Sequence, residues 1–227
     1  MAIDLKRDFK SLEQRAYEAI KDIILSGELK PNARLTEEKM AKTLGVSRTT
    51  VKKAFIRLKE EYLLEETPSQ GVQIRLSSME ECLEAYEVRE VLEGLAGKIA
   101  ARSADQTRVS RMIKEFEKLK ADGENMDMNE FERLNYNFHK MLADCYENKS
   151  ITKFIMTLLM NTKSFHHDRQ IKFFYAEGSV NEHLGVLYSI RNRDEMQAEH
   201  LARNHVRNVR EAFVRVLEVK SAKKGGY

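Results

Sequence analysis

The sequence predicts a mainly α-helical protein in which a small N-terminal part with one β-hairpin precedes a larger all-helical bundle. Both prolines, Pro31 and Pro68, precede residue 70, so the rest of the chain lacks the strongest helix breaker. The first 77 residues contain three helical apolar patterns followed by two short β-capable runs. A length of 227 residues suits two domains, which we place at residues 1–77 and 78–227.

The first predicted helix runs from Leu12 to Leu25, with Ser11 as its cap and Gly27 at its stop. Its apolar residues recur at helical spacing: Leu12, Ala16, Ala19, Ile20 and Ile23.

Two further helices follow closely. Thr36 can cap the second helix, which ends at Gly45, and Met40, Ala41 and Leu44 form its inner face. Ser47 can cap the third helix, whose apolar residues fall at i, i+3, i+4 and i+7: Val51, Ala54, Phe55 and Leu58.

The β-capable runs Leu63–Glu66 and Val72–Leu76 are separated by turn-forming residues 67–71. Three helices followed by a two-stranded hairpin describe a winged helix-turn-helix.

The second part predicts six or seven helices. The expected breaks lie near Asp105, residues 123–127, Lys149, His166, Gly178 and residues 192–194. The final helix is expected from Asp194 to about Lys220, before a flexible Lys-Lys-Gly-Gly tail.

Composition predicts a cytoplasmic protein. No apolar run approaches the roughly 20 residues that cross a bilayer, and the N-terminus lacks the apolar stretch of a secretory signal. The two cysteines, Cys82 and Cys145, have no partner at metal-ligand spacing and are expected to be reduced, buried thiols.

The excess positive charge lies in the first part. Residues 1–77 carry 15 Lys and Arg against 12 Asp and Glu, whereas the remainder carries 24 against 24. Six cations follow one another there with no intervening acid: Lys42, Arg48, Lys52, Lys53, Arg57 and Lys59. Such a run of positive charge is typical of a surface that binds a polyanion.

The third helix is a candidate recognition helix. The first residues of this helix carry short hydroxyl side chains and one guanidinium group. In a recognition helix, these positions face the bases and phosphates of the major groove. These residues are Ser47, Arg48, Thr49 and Thr50, with Lys52 one turn beyond Arg48. Taken singly, each is also an ordinary solvated residue.

Together with its surroundings, this segment resembles the N-terminal domain of the GntR family of bacterial regulators. The residues that carry the resemblance are Gly27, Leu29, Pro31, Arg34, Leu35, Glu37, Leu44, Gly45, Val46, Ser47, Arg48, Thr49, Val51, Ala54, Leu58 and Gly71. The resemblance implies DNA contacts from Arg48, Thr49, Thr50, Lys52 and the wing at Gly71, with Ser47 as a cap that can bind phosphate. Glu38 and Lys52 depart from the family, which often has Arg at both positions, so the operator sequence is not predicted.

Three histidines of the second part, His139, His183 and His205, lie on segments that can converge in a bundle core, and neutral imidazole is a common metal ligand. Asn135 precedes His139 by four residues and shares its helix face. By itself, a scatter of histidines is usually structural or exposed.

Residues 79–217 resemble the FCD ligand-binding domain of the FadR subfamily. The residues that carry this resemblance are Arg89, Glu93, Phe138, His139, Glu182, His183, Asp194 and His205. It implies a divalent metal of the Zn, Ni or Mn type, held by Asn135, His139, His183 and His205. The family often has Asp at position 135, and a neutral amide oxygen is a poorer ligand than a carboxylate.

The resemblance also implies a small carboxylic acid effector at or near the metal. Arg89 can face the cavity and pair with that carboxylate, or form a helix-surface ion pair with Glu93. His166, His167 and His200 match no role and are expected on the surface or in packing.

The sequence therefore predicts a homodimeric regulator, not an enzyme, that binds operator DNA and has no membrane partner. Effector binding is expected to change the spacing of the two winged helices, in a direction that the sequence does not encode. Two alternatives stay open. The helical domain can be a ligand-free dimerisation module with Met and Phe as simple core, or a metal-dependent hydrolase, for which we find no nucleophile constellation or phosphate-binding loop.

Overall fold

A computed structural model of the chain describes residues 11–26, 29, 33–69, 71–147, 149–163 and 169–224. The chain divides into two compact units, residues 1–76 and 77–227. The predicted helix stop at Gly27, the break and histidines at His166 and His167, and the glycines of the C-terminal tail lie outside the described residues.

In its described residues, the first unit has three helices and a hairpin. Its elements are α1 (Leu12–Ser26), α2 (Glu37–Leu44), α3 (Arg48–Glu60), β1 (Leu64–Thr67) and β2 (Gly71–Ile74). The two strands are antiparallel, with Leu64 opposite Ile74. Arg34 forms a further antiparallel bridge to Gln73, so the chain before α2 lies along the hairpin. The predicted elements are present, with strand bounds that differ by one or two residues.

The predicted caps of these helices are confirmed. Hydroxyls of Ser11, Thr36 and Ser47 accept hydrogen bonds from backbone N–H groups three residues on, at 3.1, 3.2 and 3.1 Å. Gly45 closes α2 in the left-handed conformation (φ 65°), and its N–H donates to the carbonyl of Ala41. These local bonds fix where α3 begins.

The second unit consists of six α-helices within the described ranges. They are α4 (Met79–Ser103), α5 (Gln106–Ala121), α6 (Met128–Asp144), α7 (Lys149–Lys163), α8 (Arg169–Arg191) and α9 (Glu195–Lys224), with a short 3₁₀ turn at Gly123–Asn125. None of the helices is long and apolar enough to cross a membrane, so far as the chain is described.

The predicted break at Gly178 is wrong, because α8 continues through it. An interior helical glycine costs only about 1 kcal/mol relative to alanine. Ala176 and Val180, on either side of Gly178, are fully buried, and their packing outweighs that cost. The last helix also extends beyond the predicted end, since Lys223 and Lys224 belong to α9.

Small residues bring α4 and α9 into close contact. A Cβ atom added to Gly97 would lie 2.7 Å from the Ala198 carbonyl oxygen and 3.0 Å from the Ala202 Cβ. This contact fixes α9 against α4 and thereby brings His205 to the cavity that Arg89 also lines. The cysteines are free thiols, of which Cys82 is buried as predicted and Cys145 only half-buried.

Candidate DNA-binding surface and candidate metal centre

The start of α3 presents donors and positive charge to solvent. Arg48, Thr49 and Lys52 are exposed, and Thr50 is half-buried. The Ser47 hydroxyl caps the helix and lies 2.8 Å from the Thr50 hydroxyl. The first turn contains no acidic residue, so the positive end of the helix dipole is not neutralised there. This end of α3 can accept a phosphate or a base edge.

Half of the basic run is engaged within the unit. Lys53 donates to Glu13 on α1, and Lys59 pairs with Glu66 on β1 at 2.7 Å. Arg57 donates to Gln14 at 2.6 Å and lies 3.7 Å from the ring centroid of Tyr17. These cations orient α3 against α1 and the hairpin, whereas Arg48 and Lys52 point outward.

The hairpin tip adds a second part to this surface. Gly71 has φ 73°, a conformation that side chains with Cβ rarely adopt, and its nearest side-chain neighbour is exposed Arg34. Arg34, three residues before the acidic start of α2, was not among the predicted DNA contacts; its exposed cation adds positive charge beside the hairpin. Glu38 is exposed in that acidic start and repels phosphate.

Three histidines meet inside the helical unit. His139 on α6, His183 on α8 and His205 on α9 are all buried. Each offers a ring nitrogen, and these atoms lie within 4.8 Å of one another. The Nε2 atoms of His183 and His205 are 3.2 Å apart. Two ligands at about 2.1 Å from a shared ion stand about 3 Å apart, so this spacing suits a transition metal.

Carboxylates orient two of the rings. Glu93 accepts from Nδ1 of His139, and Glu182 accepts from Nδ1 of His205 at 2.8 Å. Both contacts leave Nε2 available, as in the carboxylate–histidine–metal arrangement of many metalloproteins. Nδ1 of His183 is buried without a hydrogen-bond partner. The donor set of three buried imidazoles, two of them oriented by carboxylates, fits a bound divalent cation.

Burial favours the neutral form of two of these imidazoles, those of His139 and His183, and the neutral form is the one that binds metal. Burial lowers the pKa of His139 to about 4 and the pKa of His183 well below its usual value. Phe138 contributes to that burial, since its ring centroid is 4.3 Å from the His183 ring. Burial alone would raise the pKa of Glu93, but Arg89 and His139 together hold it well below its usual range.

Arg89 is buried rather than on the helix surface. Its Nε donates to Glu93 at 2.6 Å, and its Nη1 donates to the Thr162 hydroxyl on α7 at 2.7 Å. It also lines a cavity beside the histidines. The alternative expectation was an ion pair between Arg89 and Glu93 on the helix surface. The ion pair forms, but the expected surface location is wrong, because both side chains are buried.

Asn135 lines the same cavity. Its other lining residues are Tyr86, Arg89, Glu132, Tyr136, His139, Leu159, Thr162, His205, Val206 and Val209. Thus three of the four predicted metal ligands, Asn135, His139 and His205, line one cavity. The fourth, His183, is not among the lining residues but lies against His139 and His205. His200 is exposed and contacts Asn204, as expected for a residue outside the site.

Comparison with protein families matches both units. Residues 12–74 match the gntR family of bacterial regulatory proteins, and residues 84–208 match the FCD domain. The chain belongs to the GntR family and carries an FCD domain.

Relatives of this GntR-family protein are transcriptional regulators rather than enzymes. It is 27% identical over 207 residues to the uncharacterized HTH-type transcriptional regulator YdhC of Bacillus subtilis strain 168, covering 89% of this chain and 91% of that protein. It is 28% identical over 194 residues to a probable D-xylose utilization operon transcriptional repressor of Paenarthrobacter nicotinovorans, covering 81% and 80%.

The fold of this GntR-family protein also occurs in solved structures. McbR/YncC of E. coli superposes with a TM-score of 0.74 at 19% identity, covering 94% of this chain and all of that one. At this identity the likeness concerns the fold. With the family established, the protein is a DNA-binding transcriptional regulator built from a winged helix-turn-helix and a helical FCD domain.

Proposed function

We propose that this regulator holds its operator as a dimer and that a small carboxylic acid, bound beside a divalent metal in the FCD domain, controls that binding. The observation that carries the proposal is the buried cluster of His139, His183 and His205 with its two orienting carboxylates.

On the DNA side, Arg48 is proposed to recognise a guanine, because its guanidinium group can donate two hydrogen bonds to that base. Thr49, Thr50 and Lys52 contact bases or phosphates around it, and Ser47 presents the helix N-terminus to a phosphate. Gly71 lets the wing backbone approach the DNA closely. The exposure of Arg48, Thr49 and Lys52 supports these roles.

On the sensing side, the three histidines and Asn135 hold the metal. A divalent ion there supplies a positive centre for an anionic ligand. Glu93 and Glu182 keep the His139 and His205 rings oriented through Nδ1. Arg89 lines the same cavity, and although it pairs with Glu93, its guanidinium adds a hydrogen-bond donor for a carboxylate beside the metal.

Control of DNA binding then follows from differential affinity. An effector that fits one arrangement of the two winged helices better than another shifts the population toward it. The second unit carries the proposed effector site and the first unit carries the recognition helix, so this control requires that the two units be coupled.

Metal analysis of protein purified without an affinity tag or chelator tests this proposal. We expect near-stoichiometric divalent metal in the wild type and none in a His139→Ala/His183→Ala variant. His200→Ala, on the exposed face of α9, is the matched control and retains the metal. A wild type that stays metal-free after metal is added back contradicts the proposal and favours a metal-independent domain.

If metal is present, small carboxylic acids are screened by thermal shift and by their effect on operator binding. An acid that stabilises the wild type but not the double-histidine variant identifies the effector class. Turnover of that acid, monitored in the same samples, distinguishes catalysis from sensing.

A further inference from the structure

One face of α4 is apolar at its centre and exposed to solvent. Val88, Val91 and Leu95 are 48%, 52% and 39% exposed. They follow one another at i, i+3 and i+7, which places them on one stripe of the helix. Their neighbours toward the interior, such as Arg89 and Glu93, are buried, so the stripe is the outer face of the helix that carries the effector site.

The charges on this stripe are separated by sign. Glu80 and Glu84 precede the apolar centre, and Lys98 and Arg102 follow it. At 100° per residue, all four fall within about 20° of the direction of Val91. Acid at the start and base at the end also suit the dipole of α4 itself, but the dipole does not account for an exposed apolar centre.

The pattern is self-complementary about Val91. Glu84 and Lys98 lie seven residues on either side of it, and Glu80 and Arg102 lie eleven residues on either side. A second copy packed antiparallel about a two-fold axis at Val91 brings acid against base at both ends and apolar residues together in the middle. A parallel copy brings like charges together, which costs energy.

We propose that the outer face of α4 is the two-fold interface of the dimer, with Val91 on the axis and the two α4 helices antiparallel. This rests on the dimer of the proposed function and adds its location and register. Within its own subunit Lys98 pairs with Glu199 at 3.2 Å and Arg102 pairs with Glu195 at 2.6 Å, so a carboxylate of the partner subunit would share each cation with that internal acid.

Cysteine cross-linking of the full-length protein tests the register. Packed helices lie 8–10 Å apart and have Cα radii of about 2.3 Å, so facing Cα atoms on the axis are roughly 4–5 Å apart, within reach of a disulfide. We expect Val91→Cys to form a covalent dimer on mild oxidation. Met196→Cys, 72% exposed on α9, is the matched control and stays monomeric on a non-reducing gel. The wild type is the control for Cys82 and Cys145, and burial raises the pKa of both thiols.

Orientation is tested by a second pair of positions. In the antiparallel dimer the two copies of residue 84 are about 21 Å apart along the helix, so Glu84→Cys alone and Lys98→Cys alone do not cross-link. The Glu84→Cys/Lys98→Cys double variant does. Cross-linking of Glu84→Cys by itself indicates parallel helices and overturns the proposal.

Light scattering separates this proposal from the existence of the dimer. We expect the wild type at about twice 26.4 kDa and Val91→Glu to dissociate at an at least tenfold higher protein concentration than Met196→Glu. A wild-type dimer that neither Val91→Glu weakens nor Val91→Cys cross-links places the interface elsewhere and overturns the inference alone. A wild type that is monomeric with and without operator DNA overturns the dimer itself.

Discussion

The Glu182 carboxylate accepts a hydrogen bond from Nδ1 of His205 across 2.8 Å, which turns Nε2 of the same ring toward His183. Its other oxygen accepts from Asn208 at 2.6 Å, so the carboxylate is held at both ends. Glu182 is adjacent in sequence to one histidine of the cluster but orients a different one. Substitution of this residue therefore probes the metal centre without touching a proposed ligand.

We expect Glu182→Gln to weaken metal binding by roughly 10- to 100-fold, because an amide aligns the imidazole less well and does not increase its basicity. Isothermal titration with Zn²⁺ measures the change. Glu211→Gln, on the exposed part of α9, is the control and leaves the affinity unchanged. Equal affinities for wild type and Glu182→Gln would show that His205 is oriented by packing alone.

Asn135→Asp is expected to increase metal affinity, since a carboxylate replaces a neutral amide at the edge of the cavity. Titration with Zn²⁺ in competition with a chelator measures the gain. Asn137→Asp adds the same charge two residues away on α6, and we expect little change from it. A gain in both variants would indicate a general effect of charge rather than a ligand at position 135.

The helix order and caps could be predicted from sequence because they depend on local chemistry. Ser47 and Gly45 act within one turn of their own helix, and the structure confirms both. The pairing of Glu182 with His205 could not be predicted, because two residues 23 positions apart meet only once α8 and α9 are packed. Gly178 was misjudged for the same reason, since burial of its neighbours overrides a local preference.

We expect Gly97→Ala to lower the free energy of unfolding by about 1–3 kcal/mol, because the added methyl group meets the backbone of α9. Urea denaturation measures the loss. Gly178→Ala is the matched control: the site is exposed, a Cβ there contacts nothing within 4 Å, and the change is expected to stabilise by up to about 1 kcal/mol. Equal effects of the two substitutions would show that α4 and α9 can separate at no cost.

The stability of the metal-free protein is expected to fall as the pH drops from about 6.5 toward 4. Burial holds the pKa of His139 near 4 in the folded state and lowers that of His183 further, whereas both rings titrate near 6.5 when unfolded. Over this interval the unfolded chain binds more protons, so the loss reaches about 3 kcal/mol for His139 alone. Glu93, with its lowered pKa, adds a loss in the same direction below about 4.5.

Urea denaturation at a series of pH values, in the presence of a chelator, measures this slope. The His139→Gln/His183→Gln variant lacks the titrating rings, and its stability is expected to change less between pH 6.5 and 4.5. A wild-type slope no steeper than that of the variant would mean that the histidines are solvated in the absence of metal.

Arg48→Ala is expected to reduce operator affinity by about 1–3 kcal/mol and to relax specificity at one base pair, because this cation is proposed to recognise a guanine.

Lys52→Ala is expected to weaken binding to all sequences alike and to lower the slope of log affinity against log salt by about one, because this cation is proposed to contact a phosphate. Lys53→Ala is the matched control, because Lys53 pairs with Glu13 on α1. Fluorescence anisotropy with operator and scrambled DNA at several salt concentrations distinguishes the effects of these three variants. A variant of Arg48 that loses affinity for both DNAs equally would reassign that side chain to a phosphate and leave base recognition to Thr49, Thr50 and the wing.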